Sequence, residues 1–434
     1  MRFHRLEDWL AWLETLHAKS IDMGLERVRL VARRLGVLTP TVPVLMVSGT
    51  NGKGSTTALL DALLRAHGKR VGCYTSPHIL RFNERIRIHG VEVADDELLR
   101  ALATVDAVRG DISLTYFEYT TLAALVLFGQ AKLDAWVLEV GLGGRLDAVN
   151  IIDADVAVLT SVGLDHQEWL GDTRESIGRE KAGIFRVGRP AVVGDPTPPA
   201  SVLAMIDALG ADGVLAGRDY RYAGGAGGHW SWQGRDAHCR PLSFAALPVP
   251  SLALANAATA LQAFVLLPVV VDPDAVCQAL ASVQLPGRNQ RIDVPGRAIV
   301  IDVGHNADAL RFLTSELPRH GLGMRFHIVL GMLGDKDIEA AVCVLEPLAA
   351  SWHIAPLPSP RTASVERLAQ ALAAAGIDSS QIGLHADVAG ALAAARGQPD
   401  GLPVLVVGSF YMAGGALAAL GWQSLHHVSA QQSS

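Results

Sequence analysis

The sequence has few of the features that mark secreted, membrane-bound or metal-clustered proteins. Its 434 residues include only four cysteines, which are far apart and form no CxxC pair. This spacing indicates neither a disulfide framework nor a cysteine-based zinc site. The amphipathic N-terminal segment is interrupted by acidic residues, unlike a signal peptide. Apolar runs such as Leu122–Phe128 are far shorter than the ~20 residues of a membrane span.

The chain also lacks an excess of positive charge. Its 37 Lys and Arg residues stand against 43 Asp and Glu, a net charge of −6, whereas nucleic-acid binders are normally basic. Because 50% of the residues are hydrophobic and 18% are charged, the composition predicts a buried core that needs no disulfide cross-links. We expect a soluble, cytoplasmic protein of two or three domains, with no nucleic-acid or membrane partner.

Apolar runs alternate with helical segments in the first part of the chain. Val42–Ser48 has the continuous apolar pattern of a strand buried on both faces, and a helical stretch at Thr56–His67 leads to a second run at Val71–Thr75. Further strands are predicted at Ala135–Val140 and Asp155–Ser161. This alternation predicts an α/β fold with a mainly parallel sheet in the N-terminal domain. The glycine-rich segment that follows Val42–Ser48 makes that domain one of the P-loop ATPase type.

Composition changes at Ala223–His229, a predicted flexible loop, and again at Leu285–Gly287. After the second break a new alternating series predicts a smaller, Rossmann-like α/β domain. The predicted domains are residues 1–285 and 286–425, followed by a disordered tail at 426–434. The predicted strands of the second domain are Ala298–Val303, Phe326–Leu330, Trp352–Ala355 and Val404–Val407.

The strongest chemical signal is a glycine-rich segment between a predicted strand and a predicted helix. It reads GTNGKGS and runs from Gly49 to Ser55. Glycines let backbone N–H groups turn toward phosphate oxygens, and a helix N-terminus adds positive potential. Lys53 is placed to reach the outer phosphates, with Ser55 or Thr56 near the metal. The spelling differs from the usual Walker A motif, but the flanking elements favour a phosphate site over a simple helix-capping turn.

Two further side chains lie at or near the ends of predicted strands, and a third lies on a predicted helix. Glu139 precedes the glycine-rich loop VGLGGRLD and offers the hard oxygen that Mg²⁺ prefers. His166 follows the next strand, where ligands gather in open α/β sheets, although a histidine alone is more often structural. Lys181 lies on a short, charged helix, and by charge alone it is a solvated lysine.

Together these segments resemble the folylpolyglutamate synthase and dihydrofolate synthase family of the Mur ligase superfamily. The resemblance covers nearly the whole chain, and its ordered motifs are LHAKSIDMGLERV, GTNGKGS, TSPH, FNERI, TYFEYTT, LEVGLGGRLDAVN, LDHQEWLGDTRESIGREKAGIF, LPGR, DVGHN, GMLGDKD and VGSF. It implies ATP-dependent amide formation through an acyl phosphate. A monomer acting on dihydropteroate, folates, L-glutamate and ATP with Mg²⁺ is expected.

The resemblance also implies roles for individual residues. Lys53, Lys181 and His305 are the expected catalytic residues, and Lys181 corresponds to a carbamylated lysine of the family. The expected metal ligands are Ser76, Glu139 and His166. The expected ATP contacts are Thr50, Asn51, Gly52, Lys53, Gly54, Ser55, Asn256, Arg288 and Asp302, the last two across a domain cleft that His305 also lines. The expected dihydropteroate contacts are Ser20, Ile21, Asp22, Met23, Thr115, Tyr116, Phe117, Glu118, Leu146, Asp147 and Ala148.

Two positions depart from the family pattern. Asn289 stands where a Phe commonly follows PGR, which alters the expected stacking near the nucleotide, and Gly304 replaces the usual Ala before HN. Neither change removes a group on which the expected reaction depends.

The pterin-pocket segments favour a bifunctional enzyme, which makes dihydrofolate and then extends the glutamate chain, over a synthase restricted to polyglutamylation. Two other functions compete with this bifunctional synthase. A cell-wall Mur ligase would act on a UDP-linked sugar peptide, but it normally has an additional N-terminal domain, and only about 40 residues precede the phosphate loop. A non-catalytic nucleotide switch would need the phosphate loop and magnesium, but not Lys181, Glu139 and Arg288 together.

Overall fold

A computed structural model describes residues 2–225 and 228–422, so the predicted tail at 426–434 lies outside the described residues. The chain divides into two compact units, Met1–Gln284 and Leu285–Ser434. Each has its own sheet, flanked by helices. Among the described residues, no helix is both long and apolar enough to cross a membrane.

An eight-stranded sheet organises the first unit. Its order is β4-β3-β2-β5-β1-β6-β7-β8, and the six strands from β2 to β8 in that order are parallel, whereas β3 and β4 pair antiparallel at one edge. The central strands are buried along their whole length, as their continuous apolar sequences predict. The strands are β1 (Val44–Ser48), β2 (Val71–Tyr74), β3 (Ile86–Ile88), β4 (Val91–Glu92), β5 (Ala135–Glu139), β6 (Val156–Leu159), β7 (Pro190–Val193) and β8 (Asp212–Leu215).

Ten helices accompany this sheet in the described part of the first unit. The helix after β1 begins at Lys53, three residues before its predicted start, so the last residues of the glycine-rich segment already form its first turn. The helices are α1 (Leu6–Leu16), α2 (Glu26–Leu35), α3 (Lys53–Ala66), α4 (Asp95–Arg109), α5 (Tyr116–Gln130), α6 (Gln167–Leu170), α7 (Arg174–Ala182), α8 (Ala200–Leu209), α9 (Leu254–Val265) and α10 (Pro273–Ser282).

A small antiparallel sheet, absent from the sequence-based prediction, follows β8. It has the order β11-β10-β9, formed by β9 (Arg221–Gly224), β10 (His229–Arg235) and β11 (Pro241–Pro248). The predicted loop Ala223–His229 is therefore partly wrong, because its two ends belong to paired strands. Trp230 and Trp232 of β10 are fully buried and supply the apolar face that this short sheet needs.

The second unit has a six-stranded sheet of order β12-β13-β17-β14-β15-β16, parallel except for the β12–β13 pair. Buried side chains of its strands and helices form one core. These two sheets confirm the predicted α/β fold class. The strands are β12 (Gln290–Val294), β13 (Arg297–Ile301), β14 (Phe326–Leu330), β15 (Ala349–Ile354), β16 (Ile382–Leu384) and β17 (Val404–Val407). The helices are α11 (Ala307–Glu316), α12 (Ile338–Leu345), α13 (Val365–Ala374), α14 (Val388–Arg396) and α15 (Phe410–Ala419).

Candidate active site

The loop between β1 and α3 is shaped by two glycines with positive φ. Gly49 has φ +154°, and a Cβ there would lie 1.8 Å from Thr160 Oγ1. Gly52 has φ +85°, and a Cβ there would lie 2.5 Å from Asn256 Oδ1. Both positions therefore exclude any larger residue. The predicted contact Asn256, on the first turn of α9, lies directly against this loop.

The loop after β6 holds the β1–α3 loop in place. Thr50 N–H donates to the Ser161 carbonyl at 2.8 Å, and Asn51 N–H donates to Ser161 Oγ at 3.1 Å. Thr160 Oγ1 donates to the Asn51 carbonyl at 2.6 Å. Thr160 and Ser161 were not among the predicted site residues. Their position beside the Gly163–His166 segment, immediately after a buried strand, was the available signal.

Two lysine ammonium groups meet at the first residue of the loop. Lys53 Nζ donates to the Gly49 carbonyl at 2.9 Å and to the Thr50 carbonyl at 3.3 Å. Lys181 Nζ donates to the same Gly49 carbonyl at 3.0 Å. Both side-chain nitrogens therefore lie at the start of the loop that is expected to bind phosphate.

Lys181 is only 4% exposed, so its interpretation as a solvated lysine is wrong. Its burial and then the positive charge of Lys53 lower the pKa of Lys181 to about 7, although Asp165 and Asp147 oppose the shift. A large fraction of this amine is therefore neutral and nucleophilic near neutral pH.

The predicted metal ligands lie at the carboxyl ends of neighbouring strands. Glu139 ends β5, is 3% exposed, and accepts a hydrogen bond through Oε2 from Ser76 N–H at 3.1 Å. Ser76 follows β2, the strand next to β5. His166 follows β6, on the other side of β1, and is an exposed residue with φ +51° at the start of α6. In strand order, these residues flank the phosphate loop on both sides.

The chemistry of these side chains fits magnesium delivered with a nucleotide. Within residues 2–225 and 228–422, no group of three or more His, Cys, Asp and Glu side chains could hold a metal ion. Ser76 and Glu139 offer hydroxyl and carboxylate oxygens, which are the donors that Mg²⁺ prefers. Mg²⁺ commonly uses one or two protein ligands and completes its shell with water and phosphate oxygens. A small number of protein ligands beside a phosphate loop is therefore enough for a magnesium ion that binds together with a nucleotide.

Several predicted dihydropteroate contacts form the start of α5. Thr115 caps this helix, accepting from Glu118 N–H at 3.2 Å, while Glu118 Oε2 accepts from Thr115 N–H at 2.8 Å. Phe117 stacks on Tyr74 with ring centroids 5.9 Å apart. Tyr116 lies under the guanidinium of Arg85, whose carbon is 5.6 Å from the ring centroid.

Arg27 of α2, absent from the predicted site, joins this helix to the predicted segment 20–23. Its Nη1 lies 2.6 Å from Asp22 Oδ2, and its Nη2 lies 3.1 Å from Glu118 Oε1. Asp22 is partly buried, as are Ile21 and Met23, whereas Ser20 is exposed. The available sequence signal for Arg27 was its position in the motif LHAKSIDMGLERV, which also contains the predicted residues 20–23.

The remaining predicted pocket residues lie in the loop after β5. The buried carboxylate of Asp147 accepts hydrogen bonds from Leu142 N–H at 2.8 Å and Val149 N–H at 3.0 Å. Burial raises the pKa of Asp147 to about 6, against the effect of these hydrogen bonds. Asp147 thus fixes the loop conformation. Its neighbours Leu146 and Ala148 are partly and fully buried, respectively.

In the second unit, the predicted ATP contacts surround the end of β13. Asp302 accepts from Asn289 N–H at 2.7 Å and from Gly304 N–H at 2.6 Å. Burial raises the pKa of Asp302, an effect that the charge of Arg288 opposes. Phe410, which sequence reasoning did not name, lies 4.7 Å below the Arg288 guanidinium carbon and 6.3 Å from the His305 ring.

The structure gives a local reason for one departure from the family pattern. Asn289 has φ +45°, a conformation that Asn adopts more readily than most residues, and its Oδ1 lies 2.8 Å from His320 Nε2. At Gly304, a Cβ would lie 3.0 Å from Asp302 Oδ1, so the usual alanine would be tight there.

Comparison with known proteins agrees with this arrangement. The Mur ligase middle domain matches residues 47–193, and the Mur ligase glutamate ligase domain matches residues 287–410. The dihydrofolate synthase/folylpolyglutamate synthase of Escherichia coli K12 is 48% identical over 370 residues, which cover 85% of each chain.

Solved structures agree over almost the full length. Escherichia coli FolC in complex with DHPP and ADP has a TM-score of 0.90 and 43% identity, with 96% of this chain and 98% of that chain covered. A bifunctional folylpolyglutamate synthase/dihydrofolate synthase with Mn, AMPPNP and L-glutamate bound has a TM-score of 0.88 and 44% identity, with the same coverage. This chain therefore belongs to the dihydrofolate synthase/folylpolyglutamate synthase family of Mur ligases.

Proposed function

We propose that this chain is a bifunctional ATP-dependent ligase. It adds L-glutamate to dihydropteroate, giving dihydrofolate, and it adds further glutamates to tetrahydrofolate-type folates. The observation that carries the proposal is the convergence of Lys53 and Lys181 on the Gly49 carbonyl, at 2.9 and 3.0 Å, within a phosphate loop. The relatives bound to ADP, AMPPNP, DHPP and L-glutamate support these substrate classes.

The reaction must turn a carboxylate into an acylating agent. The substrate carboxylate oxygen attacks the γ-phosphorus of ATP, ADP leaves, and an acyl phosphate forms. The amine of glutamate then attacks the acyl carbon, phosphate leaves with its oxygen, and the amine loses a proton. Because two anions must approach in the first step, Lys53 neutralises phosphate charge from its place in the loop. When bound, Mg²⁺ supplies further charge neutralisation.

The site residues take the roles that the family pattern implies. Residues 50–55 and Asn256 bind ATP, since the loop is built for phosphate and Asn256 lies against Gly52. Arg288 and Asp302 are further ATP contacts, and His305 is catalytic. Ser76, Glu139 and His166 hold Mg²⁺. The residues 20–23, 115–118 and 146–148 bind dihydropteroate in the unit Met1–Gln284, and the second unit binds glutamate.

Lys181 carries a carbamate in the active enzyme. The neutral amine attacks carbon dioxide, a C–N bond forms, and the nitrogen loses one proton, which leaves an anionic carboxylate on the side chain. Its burial and its neighbour Lys53 support this role, because they lower the pKa of Lys181 to about 7. The carbamate would replace a second buried cation with an oxygen ligand.

The competing functions are less well supported. A nucleotide switch does not need a buried lysine beside the phosphate loop. A UDP-sugar-peptide ligase would not account for the 48% identity with a folate enzyme over 85% of both chains. A cytoplasmic location remains part of the proposal, and the four free cysteines support it, because disulfides are rare in a reducing compartment. A monomeric state also remains part of the proposal.

One assay separates these possibilities. ADP release is measured with dihydropteroate, tetrahydrofolate or a UDP-muramoyl substrate, each with and without L-glutamate. We expect turnover only when L-glutamate is combined with dihydropteroate or tetrahydrofolate. Turnover with the UDP-muramoyl substrate, or turnover that does not depend on any acceptor, would contradict the proposal.

A further inference from the structure

Asp22 and Glu118 lie in two separate chain segments, and a single side chain joins them. Arg27 Nη1 lies 2.6 Å from Asp22 Oδ2, Arg27 Nη2 lies 3.1 Å from Glu118 Oε1, and Nη2 also donates to the Asp22 carbonyl at 3.0 Å. We propose that Arg27 is a positioning residue that locks the two walls of the pterin-side pocket together. This inference rests on the proposed function, which places both segments at that pocket.

The Glu118 end of this bridge is rigid. Glu118 is 4% exposed, and each of its carboxylate oxygens has a partner, Oε1 with Arg27 and Oε2 with Thr115 N–H at 2.8 Å. Because Thr115 caps α5, the carboxylate is tied to the first turn of a 15-residue helix. Arg27 therefore anchors against a fixed element, not against a mobile surface side chain.

The Asp22 end belongs to a segment without regular structure. Besides Arg27, Asp22 contacts His17 Nε2 at 3.1 Å and Lys19 Nζ at 3.6 Å. Burial raises the pKa of Asp22, but the hydrogen bond from His17 and the charge of Arg27 outweigh it and lower the pKa overall. Asp22 thus stays ionised, and ionic contacts with Arg27 and Lys19 help to hold its segment.

The geometry requires a guanidinium. Two nitrogens of one planar group reach two carboxylates and a carbonyl, which one point-like ammonium cannot do at these distances. The Nε of Arg27 is buried without a hydrogen-bond partner among the described residues, so packing also contributes to its position. A lysine would keep the charge and lose the bridge.

A positioning role makes a selective prediction. Both joined segments carry expected dihydropteroate contacts, so a displaced pocket wall should weaken the binding of dihydropteroate. ATP binds at the β1–α3 loop, where Arg27 has no described contact, so its KM should not change. A merely structural role would instead lower activity with all substrates as the protein loses stability.

The test uses steady-state kinetics and titration calorimetry on the full chain and on three variants, Arg27→Lys, Arg27→Met and Glu118→Gln. We expect the KM and Kd for dihydropteroate to rise roughly tenfold in Arg27→Met and less in Arg27→Lys, the scale expected for one buried charged contact. The KM for ATP should stay within about twofold. The double variant Arg27→Met/Glu118→Gln should be no worse than Arg27→Met, because both changes break one bridge.

Arg235→Lys is the matched control, since Arg235 also forms a 2.6 Å ion pair, with Asp212, outside the site. It should leave every KM unchanged. An unchanged KM for dihydropteroate in folded variants, an equal rise for ATP, or additive effects in the double variant would overturn the proposal. If Arg27→Met does not fold, Arg27→Lys and Glu118→Gln decide by the same criteria. If the unmodified chain shows no dihydropteroate-dependent turnover, the proposed function itself is wrong.

Discussion

Lys181 donates a hydrogen bond to the carbonyl oxygen of Gly49, which lies 132 positions earlier in the chain. Lys53 donates to the same oxygen. Two buried or half-buried ammonium groups at one acceptor repel each other unless an anion separates them or one of them is neutral. The burial of Lys181, and then this repulsion by Lys53, lower the pKa of Lys181 to about 7. Carbamylation would turn Lys181 into an anion and would therefore remove its repulsion of Lys53.

Replacing Lys181 with Ala should therefore reduce kcat by at least about a hundredfold, since the change removes a charged group beside the phosphates. Acetate, which can enter the vacated space, should restore part of the rate. The measurement is ADP release with and without acetate, and intact-mass analysis in bicarbonate without acid treatment should show the added carbamate. The exposed Lys132 gives a control, because Lys132→Ala should have normal activity. Normal activity of Lys181→Ala together with an unmodified lysine in the active enzyme would contradict the carbamate.

Lys53→Ala should abolish turnover while the fold is retained. The ammonium acts on phosphate charge, and typical losses for such groups are about a hundredfold to a thousandfold in kcat. The variant should keep its circular dichroism spectrum, because the hydrogen bonds of Lys53 to the Gly49 and Thr50 carbonyls lie within one loop and hold no helix or strand of the core in place. Near-normal kcat in a folded Lys53→Ala protein would exclude the phosphate-loop role.

The parts of the fold that follow from local sequence were predictable. Continuous apolar runs identified the buried strands β1, β2, β5 and β6, because parallel strands are covered on both faces and leave a pattern that depends on no partner. The three-stranded sheet β9–β11 was missed. Its first strand, β9, is exposed throughout, and β10 alternates between exposed and buried residues only over its first four positions; a glycine-rich stretch separates them, so this sequence resembles a loop.

The residues of the candidate site were also predictable only where a local sequence motif marks them. Lys53 was predictable because its loop is one contiguous motif. The burial of Lys181 was not, because α7 is strongly polar by sequence, and only the packed fold places this side chain beside Gly49. Arg27 and Phe410 were missed for a related reason. Each acts through a partner far away in sequence or through the face of a ring, and neither leaves a local pattern.

Asn289 allows a prediction about backbone strain in the second unit. Its φ of +45° disfavours residues with a Cβ, and its side chain contacts His320. We expect Asn289→Ala to lower the free energy of unfolding by about 1–2 kcal/mol, through strain and loss of that contact. Asn289→Gly is the matched comparison, because it loses only the contact and should be the milder change. Urea denaturation of both variants tests this, and an Ala variant as stable as the Gly variant would show that no strain exists.

A row of histidines crosses the second unit and predicts its behaviour in acid. His327 lies 2.8 Å from Asp400 and 2.8 Å from Ser351, Ser351 lies 3.1 Å from His353, and His353 lies 3.2 Å from His385. Burial, and then the charges of His385 and His327, lower the pKa of His353 to about 4. His353 is thus held neutral in the folded chain at pH values where an exposed histidine is charged.

Between pH 6.5 and about 4, the unfolded chain binds a proton at His353 and the folded chain does not. The free energy of unfolding must therefore fall as the pH is lowered through this window, by at most about 1.4 kcal/mol per pH unit for one group. His353→Gln has no titratable ring, so its stability should decline less steeply with acid. Hydrogen exchange of the β15 amides, measured at several pH values, reports the local stability of the strand that contains His353. His238→Gln, at an exposed position, should behave like the unmodified chain. Equal acid slopes for His353→Gln and the unmodified protein would mean that His353 does not carry this instability.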